Sequence, residues 1–480
     1  MLGSRLPSAA VLIGLSLTLG IALGGCALTP DGARDEQARL AAASKPYEKP
    51  VESRELPALP ARVGWRDALH RAFLANGELE AAYFEWKAAM IAVDKADAWP
   101  NSNLTFGYSY MFSPANMKAW DRTTLAAGFD PSMNLQLPVK PATAGKVALE
   151  AARETGEKFR AAKFDLQKKV LDAYLDLALA EEKARIQRDV VHVLDLAETS
   201  ASARAQVGGS VPDALKAKTE QEVAKNNLRN LDAEVRSAKA RLNGLMARNA
   251  QDPLGLPPQL PAPRPVLAND ARLIAAAVDR NPELAALARQ VAGRKDAIDL
   301  ASLGYLPDVI PSFSVTGSIS QTVGAMAMLP TTLPQIRATI DNAAAMERSS
   351  EALLRQTGKD RAASFVANLY LMRNAERQVA LYRRSLVPLA QQTLTSSQQT
   401  YAAGQSSFVD LIDSIRTYDA IRLLAAEARI EREKRLAELE ALAGVDVETL
   451  GKPEAAALIV SAQSDAPWLQ PEPGPSRPGR

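Results

Sequence analysis

The sequence predicts a mainly α-helical protein with a small transmembrane β part, built from one helix, strand-pair and long-hairpin unit that occurs twice. Apolar residues recur at three- and four-residue spacing over two long stretches, which is the pattern of packed helices. Shorter stretches alternate apolar with small polar residues, which is typical of β-strands. Asn281-Pro282-Glu283-Leu284 repeats the pattern of Asn76-Gly77-Glu78-Leu79, which indicates a tandem duplication.

The composition argues against several classes of protein. The 480 residues include 57 Lys and Arg against 55 Asp and Glu, and this near-neutral balance gives no sign of nucleic-acid binding. The single cysteine excludes a disulfide within the chain. His70 and His192 stand far apart with no cysteine or histidine nearby, so we expect no metal site and no bound cofactor. No common catalytic signature occurs, so we do not expect an enzyme.

The first 25 residues have the pattern of an export signal. Arg5 precedes an apolar run, residues 11–23, that is too short to span a bilayer comfortably. The run ends in Leu23-Gly24-Gly25-Cys26, which resembles a bacterial lipoprotein signal. We expect residues 1–25 to be removed and Cys26 to carry a covalent lipid. The alternative is an ordinary signal, or an uncleaved anchor, with an incidental cysteine.

The residues after the signal divide into a tether, two repeats and a tail. Residues 26–62 contain several prolines and no sustained period, so we predict a lipid-anchored tether or an irregular strap. The first repeat is residues 63–262 and the second is residues 263–450, each beginning with two shorter helices. The proline-rich tail, residues 451–480, is predicted to be partly disordered.

Each repeat then carries a predicted strand pair. Residues 103–112 alternate aromatic with small or polar side chains, and residues 132–138 are the predicted partner strand. The second repeat has predicted strands at residues 312–320 and 323–329. In a membrane barrel, this alternation points aromatic side chains at lipid and small polar ones at the lumen.

The first predicted hairpin of long helices is residues 146–248. Gly208 and Gly209 suit the end of its first helix, because glycine adopts positive φ freely. Ser210 is a candidate cap for the return helix, whose first turn contains Asp213.

The second predicted hairpin is residues 335–442, with Gly404 at its tip. Pro388 lies inside its first helix, and we predict a kinked but continuous helix there because the apolar spacing continues across the proline. After the tip, Asp410 and Asp413 are three residues apart and share one face of the outgoing helix. Electrostatic stabilisation of the helix N-terminus is an alternative role for both.

Four strands cannot close a barrel on their own. An open sheet leaves unpaired edges, which lipid does not tolerate, so several chains must contribute strands. Three copies would give a barrel of twelve strands, an even number within the known range, and a tube of twelve long helices. We therefore expect a homotrimer that crosses the outer membrane and extends into the periplasm.

The order of signal, tether and duplicated unit resembles the TolC family of outer-membrane factors over about residues 63–450. The strongest motif is Tyr401-x-x-Gly404-x-x-x-Phe408-x-Asp410-x-x-Asp413. The resemblance implies the exit duct of a tripartite efflux system, working with a periplasmic adaptor and an inner-membrane pump of the RND type.

The same resemblance implies roles for the tip residues. Tyr401 would help to close the periplasmic aperture at rest, and Asp410 and Asp413 would form a carboxylate ring that faces the lumen. Asp213 would be the carboxylate of the first repeat that the tyrosine or a basic residue engages.

Two questions stay open at the level of sequence. Some family members have a gate arginine where this chain has Ser406, and Arg416 is a candidate to replace it. The cargo could be heavy-metal cations, drugs or solvents, or a protein secreted by a type I system. A periplasmic adaptor lipoprotein is the alternative function, although an adaptor would have one hairpin instead of two.

Overall fold

The structure is a computed structural model that describes residues 29–98, 104–112, 117–129, 136–208, 210–266 and 268–448. The predicted signal, Cys26, Gly209 and the tail lie outside these residues. The described chain divides into two units. The first comprises Tyr83–Gly156, Ala286–Arg355 and the chain up to Lys45, and the second comprises Pro46–Ala82, Glu157–Ala285 and the chain from Gln356 onward. Among the described helices, none is both long and apolar enough to cross a membrane.

The two repeats have the same order of elements. The first contains α2 (Trp65–Ala75), α3 (Gly77–Ala96), β1 (Leu104–Tyr110), β2 (Thr123–Phe129), α4 (Val139–Gln206) and α5 (Val211–Leu245). The second contains α6 (Asp270–Asp279), α7 (Pro282–Ser302), β3 (Asp308–Thr316), β4 (Ser320–Met328), α8 (Leu333–Leu381), α9 (Val387–Ala402) and α10 (Phe408–Ala443). A short helix, α1 (Ala33–Ser44), precedes both repeats. Each repeat thus contains one long helical hairpin, α4 with α5 in the first and α8 and α9 with α10 in the second.

Two equivalent asparagines fix the same junction in both repeats. Asn76 caps the start of α3 through its Oδ1 and donates from Nδ2 to the carbonyl of Leu245, at the end of α5, at 3.4 Å. Asn281 caps α7 and donates to the carbonyl of Leu442, near the end of α10, at 2.6 Å. Each short helix is therefore tied to the base of its own long hairpin.

The absence of regular structure predicted for residues 26–62 is wrong, because α1 lies within them. Glu36 on α1 is buried and accepts a hydrogen bond from Trp86 Nε1 at 3.0 Å. Gly156 of α4 permits this contact, since a Cβ there would lie 2.8 Å from Glu36 Oε1 and 2.9 Å from the Trp86 ring. These contacts join residues far apart in sequence, so local periodicity does not reveal them.

The four strands form one antiparallel sheet in the order β1-β2-β3-β4. The prediction for β1 is confirmed, but its partner is β2, at Thr123–Phe129, and not residues 132–138. Residues 131–135 lie outside the described part, and residues 136–137 have no regular structure before α4 begins at Val139. β2 was missed because alanine and glycine occupy its alternating positions, which hides the apolar period.

The second strand pair lies a few residues nearer the N-terminus than predicted. β3 starts at Asp308 instead of residue 312, and β4 starts at Ser320 instead of residue 323. Gly317 forms the turn between them with φ of 50°. Proline within β3 weakened the sequence signal for its first half, because proline removes a ladder donor.

In the rows that cross all four strands, the two faces of the sheet differ in side-chain size. On one face the rows across β1, β2, β3 and β4 are Phe106, Ala127, Phe313 and Val323, then Tyr108, Leu125, Val315 and Gln321. On the other face the rows are Thr105, Gly128, Ser312 and Gly324, then Gly107, Ala126, Ser314 and Thr322, then Ser109, Thr124, Thr316 and Ser320. Phe106 is 78% exposed and Val323 is 83% exposed. Large apolar side chains are therefore exposed on one face of the described sheet.

A buried charge network anchors the second hairpin to the proline-rich segment between the repeats. Arg264 donates to Glu433 at 3.2 Å and to Glu440 at 2.8 Å, and all three side chains are buried. Arg432 pairs with Glu433 and with Glu376, at 3.0 Å from the latter. Burial raises the pKa of Glu440, and the positive charge of Arg264 opposes that rise.

The long helix that contains Pro388 continues across it, as predicted. A π-helical turn, Tyr382–Leu386, joins α8 to α9, and the Val387 N–H donates to the Tyr382 carbonyl five residues earlier. In a regular α-helix the proline ring would clash with the carbonyl four residues back. The wider π-helical turn gives the proline ring room, so the chain stays helical across Pro388.

Candidate functional site at the hairpin tips

The tip of the second hairpin is a tight turn followed by a capping box. Gly404 has φ of 73°, and its N–H donates to the Tyr401 carbonyl at 3.0 Å. Ser407 caps α10: its Oγ accepts from the Asp410 N–H at 3.2 Å, and Asp410 Oδ2 accepts from the Ser407 N–H at 3.1 Å. Hydrogen bonds from the Ser407 hydroxyl and N–H lower the pKa of Asp410.

Asp413 lies one turn further along α10 and is exposed, as is Asp410. Arg416, three residues beyond Asp413, pairs with Glu220 of α5. This contact raises the pKa of Arg416, with a smaller contribution from the charge of Asp413. Arg416 therefore connects the second hairpin to the first.

Tyr401 is buried within its own chain, with 7% of its surface exposed. Its ring meets Phe408 edge-on, with centroids 5.9 Å apart. The apolar cluster around it joins both hairpins and consists of Leu194, Ala197, Ala201, Ala217, Ala224, Leu394, Tyr401, Phe408, Leu411, Ile412 and Ile415. Tyr401 is thus a packing residue that holds the two tips together.

Arg204, in the last turn of α4, is the site residue that the sequence analysis missed. Its guanidinium lies 4.3 Å from the centroid of the Tyr401 ring. It also donates to the carbonyls of Tyr401 and Ala402, at 2.9 and 3.2 Å, where α9 ends and its carbonyls lack helical partners. A basic residue near a helix C-terminus is a weak signal, and nothing local in the sequence indicates that Arg204 caps a different helix.

The first tip has the predicted turn. Gly208 has φ of 96°, and Ser210 caps α5 by accepting from the Asp213 N–H at 3.4 Å. Asp213 is half-buried. Arg204 of the first hairpin makes a cation–π contact with the Tyr401 ring, whereas the backbone N–H of Asp213 donates to its own cap, Ser210.

Ion pairs of alternating sign line the seam between α4 and α10. They are Lys168–Glu438, Asp176–Lys434, Lys183–Glu427 and Asp189–Arg422. A slip of one helix past the other by one pair would place like charges opposite each other. The seam therefore fixes the register between the two hairpins.

The described residues contain no group of three or more His, Cys, Asp or Glu side chains that could hold a metal ion. At the tip of the second hairpin, the exposed carboxylates of Asp410 and Asp413 lie near the contact between Arg204 and Tyr401, which joins the two hairpins. Clustered carboxylates of this kind attract cations.

The described structure is similar to solved outer-membrane channels. OprN, an outer-membrane channel, matches with a TM-score of 0.66 at 15% identity, over 80% of this chain and 90% of that one. The Neisseria gonorrhoeae MtrE channel, solved in its open state, matches with a TM-score of 0.65 at 17% identity, over 80% and 89%. This chain has the fold of those outer-membrane channels.

The structure is also similar to that of CusC, which is described as forming a transmembrane channel. The TM-score is 0.65 at 16% identity, over 83% of this chain and 97% of that one. No protein-family model and no curated protein sequence matches the chain. The fold that the resemblance implied is confirmed by the structural matches alone.

Proposed function

We propose that this chain is the outer-membrane exit duct of a tripartite efflux system. The observation that carries the proposal is the two-faced sheet. In the rows that cross all four strands, one side has mostly large apolar side chains and the other has only Gly, Ala, Ser and Thr. Small side chains suit the crowded concave face of a barrel, and exposed apolar ones suit lipid. The fold of outer-membrane channels supports the same function.

The duct is a homotrimer. β1 and β4 are the edges of a four-stranded sheet, and a barrel in lipid must pair every edge. Joining β4 of one copy to β1 of the next closes the sheet after three copies, giving twelve strands. The long hairpins then form the tube that extends into the periplasm.

The protein is anchored by lipid on Cys26, in the outer membrane. The support is the Leu23-Gly24-Gly25-Cys26 pattern and the position of Ala27, which replaces the aspartate that would retain a lipoprotein at the inner membrane. Labelled palmitate should be incorporated into the natural protein and not into Cys26→Ser. Incorporation into the variant would contradict the assignment.

The hairpin tips form the resting gate of this duct. Tyr401, with Arg204 beneath it, holds the tips of each chain together, while Asp410 and Asp413 of three chains give six carboxylates around the aperture. Asp213 lies at the neighbouring tip and adds to the negative charge. The periplasmic adaptor and an inner-membrane pump of the RND type are the partners that would meet this end.

The cargo class is a small molecule or a heavy-metal cation, and type I protein secretion is the second candidate. The narrow ring of carboxylates favours the first, because it attracts cations and would hinder a polypeptide rich in acidic residues. Deletion of the gene should sensitise the cell to metals or drugs, and restoration should reverse that. Loss of a secreted protein without any change in sensitivity would favour the second candidate.

Reconstitution in a planar lipid bilayer tests the channel function itself. The purified protein should insert and give discrete conductance steps that are cation-selective and blocked by multivalent cations from the periplasmic side. A periplasmic adaptor, the alternative function, would give no steps and would stay soluble once its lipid is removed.

A further inference from the structure

We propose that the buried carboxylate of Asp97 binds the first residues of the mature chain, residues 26–28, by accepting hydrogen bonds from their backbone N–H groups. The contact holds the lipid-bearing end of the chain at the junction between α3, which ends at Ala96, and β1, which begins at Leu104. The inference rests on the proposed lipidation of Cys26 and specifies where the lipidated end is bound.

Asp97 is a buried acid without a partner. It directly follows α3, and only 2% of its surface is exposed. Among the residues that the structure describes, no other residue donates a hydrogen bond to either of its carboxylate oxygens. Burial raises the pKa of Asp97, and the charge of Asp94 adds to the rise. Buried polar groups in folded proteins almost always have a hydrogen-bond partner, so this carboxylate requires a donor.

The N-terminal segment passes beside this carboxylate. A Cβ on Gly145 of α4 would lie 2.8 Å from Asp97 Cβ and 3.0 Å from Pro30 Cγ. The side chains of Asp97 and Pro30 therefore meet over Gly145, and Pro30 is buried there. We call this meeting point of the three residues the notch.

Helix α1 holds the chain in the notch. The Ala33 N–H donates to the Pro30 carbonyl at 3.1 Å, and Ala33 is buried. One turn later, the buried Glu36 accepts from Trp86 Nε1. All of these residues belong to the first unit of the chain. The chain is therefore fixed from Pro30 onward, next to a carboxylate that requires donors.

The residues before Pro30 are short enough, and have the right groups, to supply those donors. An extended chain spans at most about 3.5 Å per residue, so Cys26 lies within about 14 Å of Pro30. Proline has no N–H, but Ala27 and Leu28 each have one. An ionised carboxylate accepts several hydrogen bonds, and bonds to a charged acceptor are the stronger kind.

The duplication supports this assignment. Leu306-Pro307 takes in the second repeat the place of Trp99-Pro100, so Gly304 stands where the first repeat has Asp97. A Cβ on Gly304 would meet Ile336 at 3.4 Å, which is ordinary contact. The carboxylate thus occurs in the repeat that packs against α1 and is absent from the equivalent place in the other.

The direction of a change in Tm gives the first test. If Asp97 has no donor, Asp97→Ala removes an unpaired buried charge and should raise the Tm of the purified protein. Our proposal requires the opposite, a fall in Tm, because two backbone donors lose their acceptor. Asp94→Ala, at an exposed position one turn earlier, is the control and should change Tm little. A rise in Tm for Asp97→Ala would overturn the proposal.

A nitroxide label on Leu28→Cys gives the second test, read by electron paramagnetic resonance of the mature protein in detergent. The label should be immobilised, and Asp97→Ala should increase its mobility several-fold. Gly145→Ala should do the same, because the new Cβ fills the notch. The matched control is Gly304→Ala, whose Cβ meets only ordinary contact.

The competing source of donors is the segment that follows Asp97, residues 99–103. In that case Asp97→Ala would lower Tm and leave the mobility of the label at residue 28 unchanged. That combination would assign the carboxylate to its own connecting segment and overturn the proposal.

Folding and lipidation are checked on the same samples. Hydrogen–deuterium exchange over residues 33–44 and the mass of the assembly must match the natural protein. If Asp97→Ala disturbs either, Asp97→Asn takes its place and should give a smaller gain in mobility, since its amide keeps one acceptor oxygen. An acylated Cys26 has no free thiol, so each chain should take up one label. Two labels would contradict the lipidation, and the Tm comparison would still test Asp97.

Discussion

At the residue scale, the contact between Arg204 and the end of α9 does three things at once. The guanidinium lies over the Tyr401 ring, donates to the carbonyls of Tyr401 and Ala402 at the end of α9, and joins the first hairpin to the second. Hydrogen bonds to a charged group contribute about 1.5–3 kcal/mol, and exposed cation–π contacts about 0.5–1 kcal/mol. Losing the side chain should therefore loosen the tip strongly.

We expect Arg204→Ala to raise the resting conductance of the reconstituted channel, because the closed tips lose about 2 kcal/mol of stabilisation. Arg204→Lys should give a smaller increase, since an ammonium cannot both stack and donate to two carbonyls. Arg188→Ala, at an exposed position on the same helix, is the control. Equal conductance in all four proteins would mean that this contact does not hold the gate.

The carboxylates should control selectivity instead of closure. Replacing Asp410 and Asp413 with alanine should weaken cation selectivity and multivalent block, while the helix keeps the Ser407 hydroxyl as its cap. Ion selectivity in planar bilayers measures this. If the double variant keeps the selectivity of the natural protein, both aspartates serve only to stabilise the N-terminus of α10.

The capping box also predicts a pH dependence. The folded pKa of Asp410 is below its usual range, so its cap is fully present above the pKa of the unfolded chain and is lost as pH falls through the folded value. Exchange of the first turn of α10 should rise on acidification through that window. Asp410→Asn should remove the dependence, and an unchanged pH profile in that variant would show that another group titrates.

At the element scale, the attachment of the second hairpin to the connector between the repeats depends on a buried charge network. Arg264→Met would leave Glu440 buried without its partner, a change that typically costs about 3–5 kcal/mol. We expect a clear fall in Tm, largely reversed in the double variant Arg264→Met with Glu440→Gln, because the neutral amide needs no counter-charge. Failure of the second change to restore Tm would mean that packing of Arg264 on Trp65, and not charge, is what counts.

The N-terminal helix α1 gives a second test at this scale. Gly156→Ala puts a Cβ against Glu36 and Trp86, and overpacking of this kind costs about 1–3 kcal/mol. Gly358→Ala is the matched control in a helix of the other repeat, where nothing lies within 4 Å and alanine favours the helix. Exchange should rise across α1 only in the first variant. Unchanged protection there would show that α1 is not held by this contact.

At the scale of the whole molecule, the duplication could be predicted from the sequence. Both repeats show the same apolar periodicities, and glycine, proline and asparagine occur at equivalent places in them. Gly208, Gly404 and Ser210 act as predicted, since turns and caps depend on the local backbone. β2 and α1 were missed because their side chains are small or polar and their stabilising partners are distant. Arg204 was missed for the same reason.

A closed barrel requires strands from several chains, because the four-stranded sheet of one chain leaves two edges. The mass of the protein in its detergent micelle, corrected for bound detergent, gives the number of chains that form the barrel. We predict three copies of the mature chain, stable on dilution, with the strand content intact by circular dichroism. A monomer with the same strand content would contradict the closed barrel, and with it the duct.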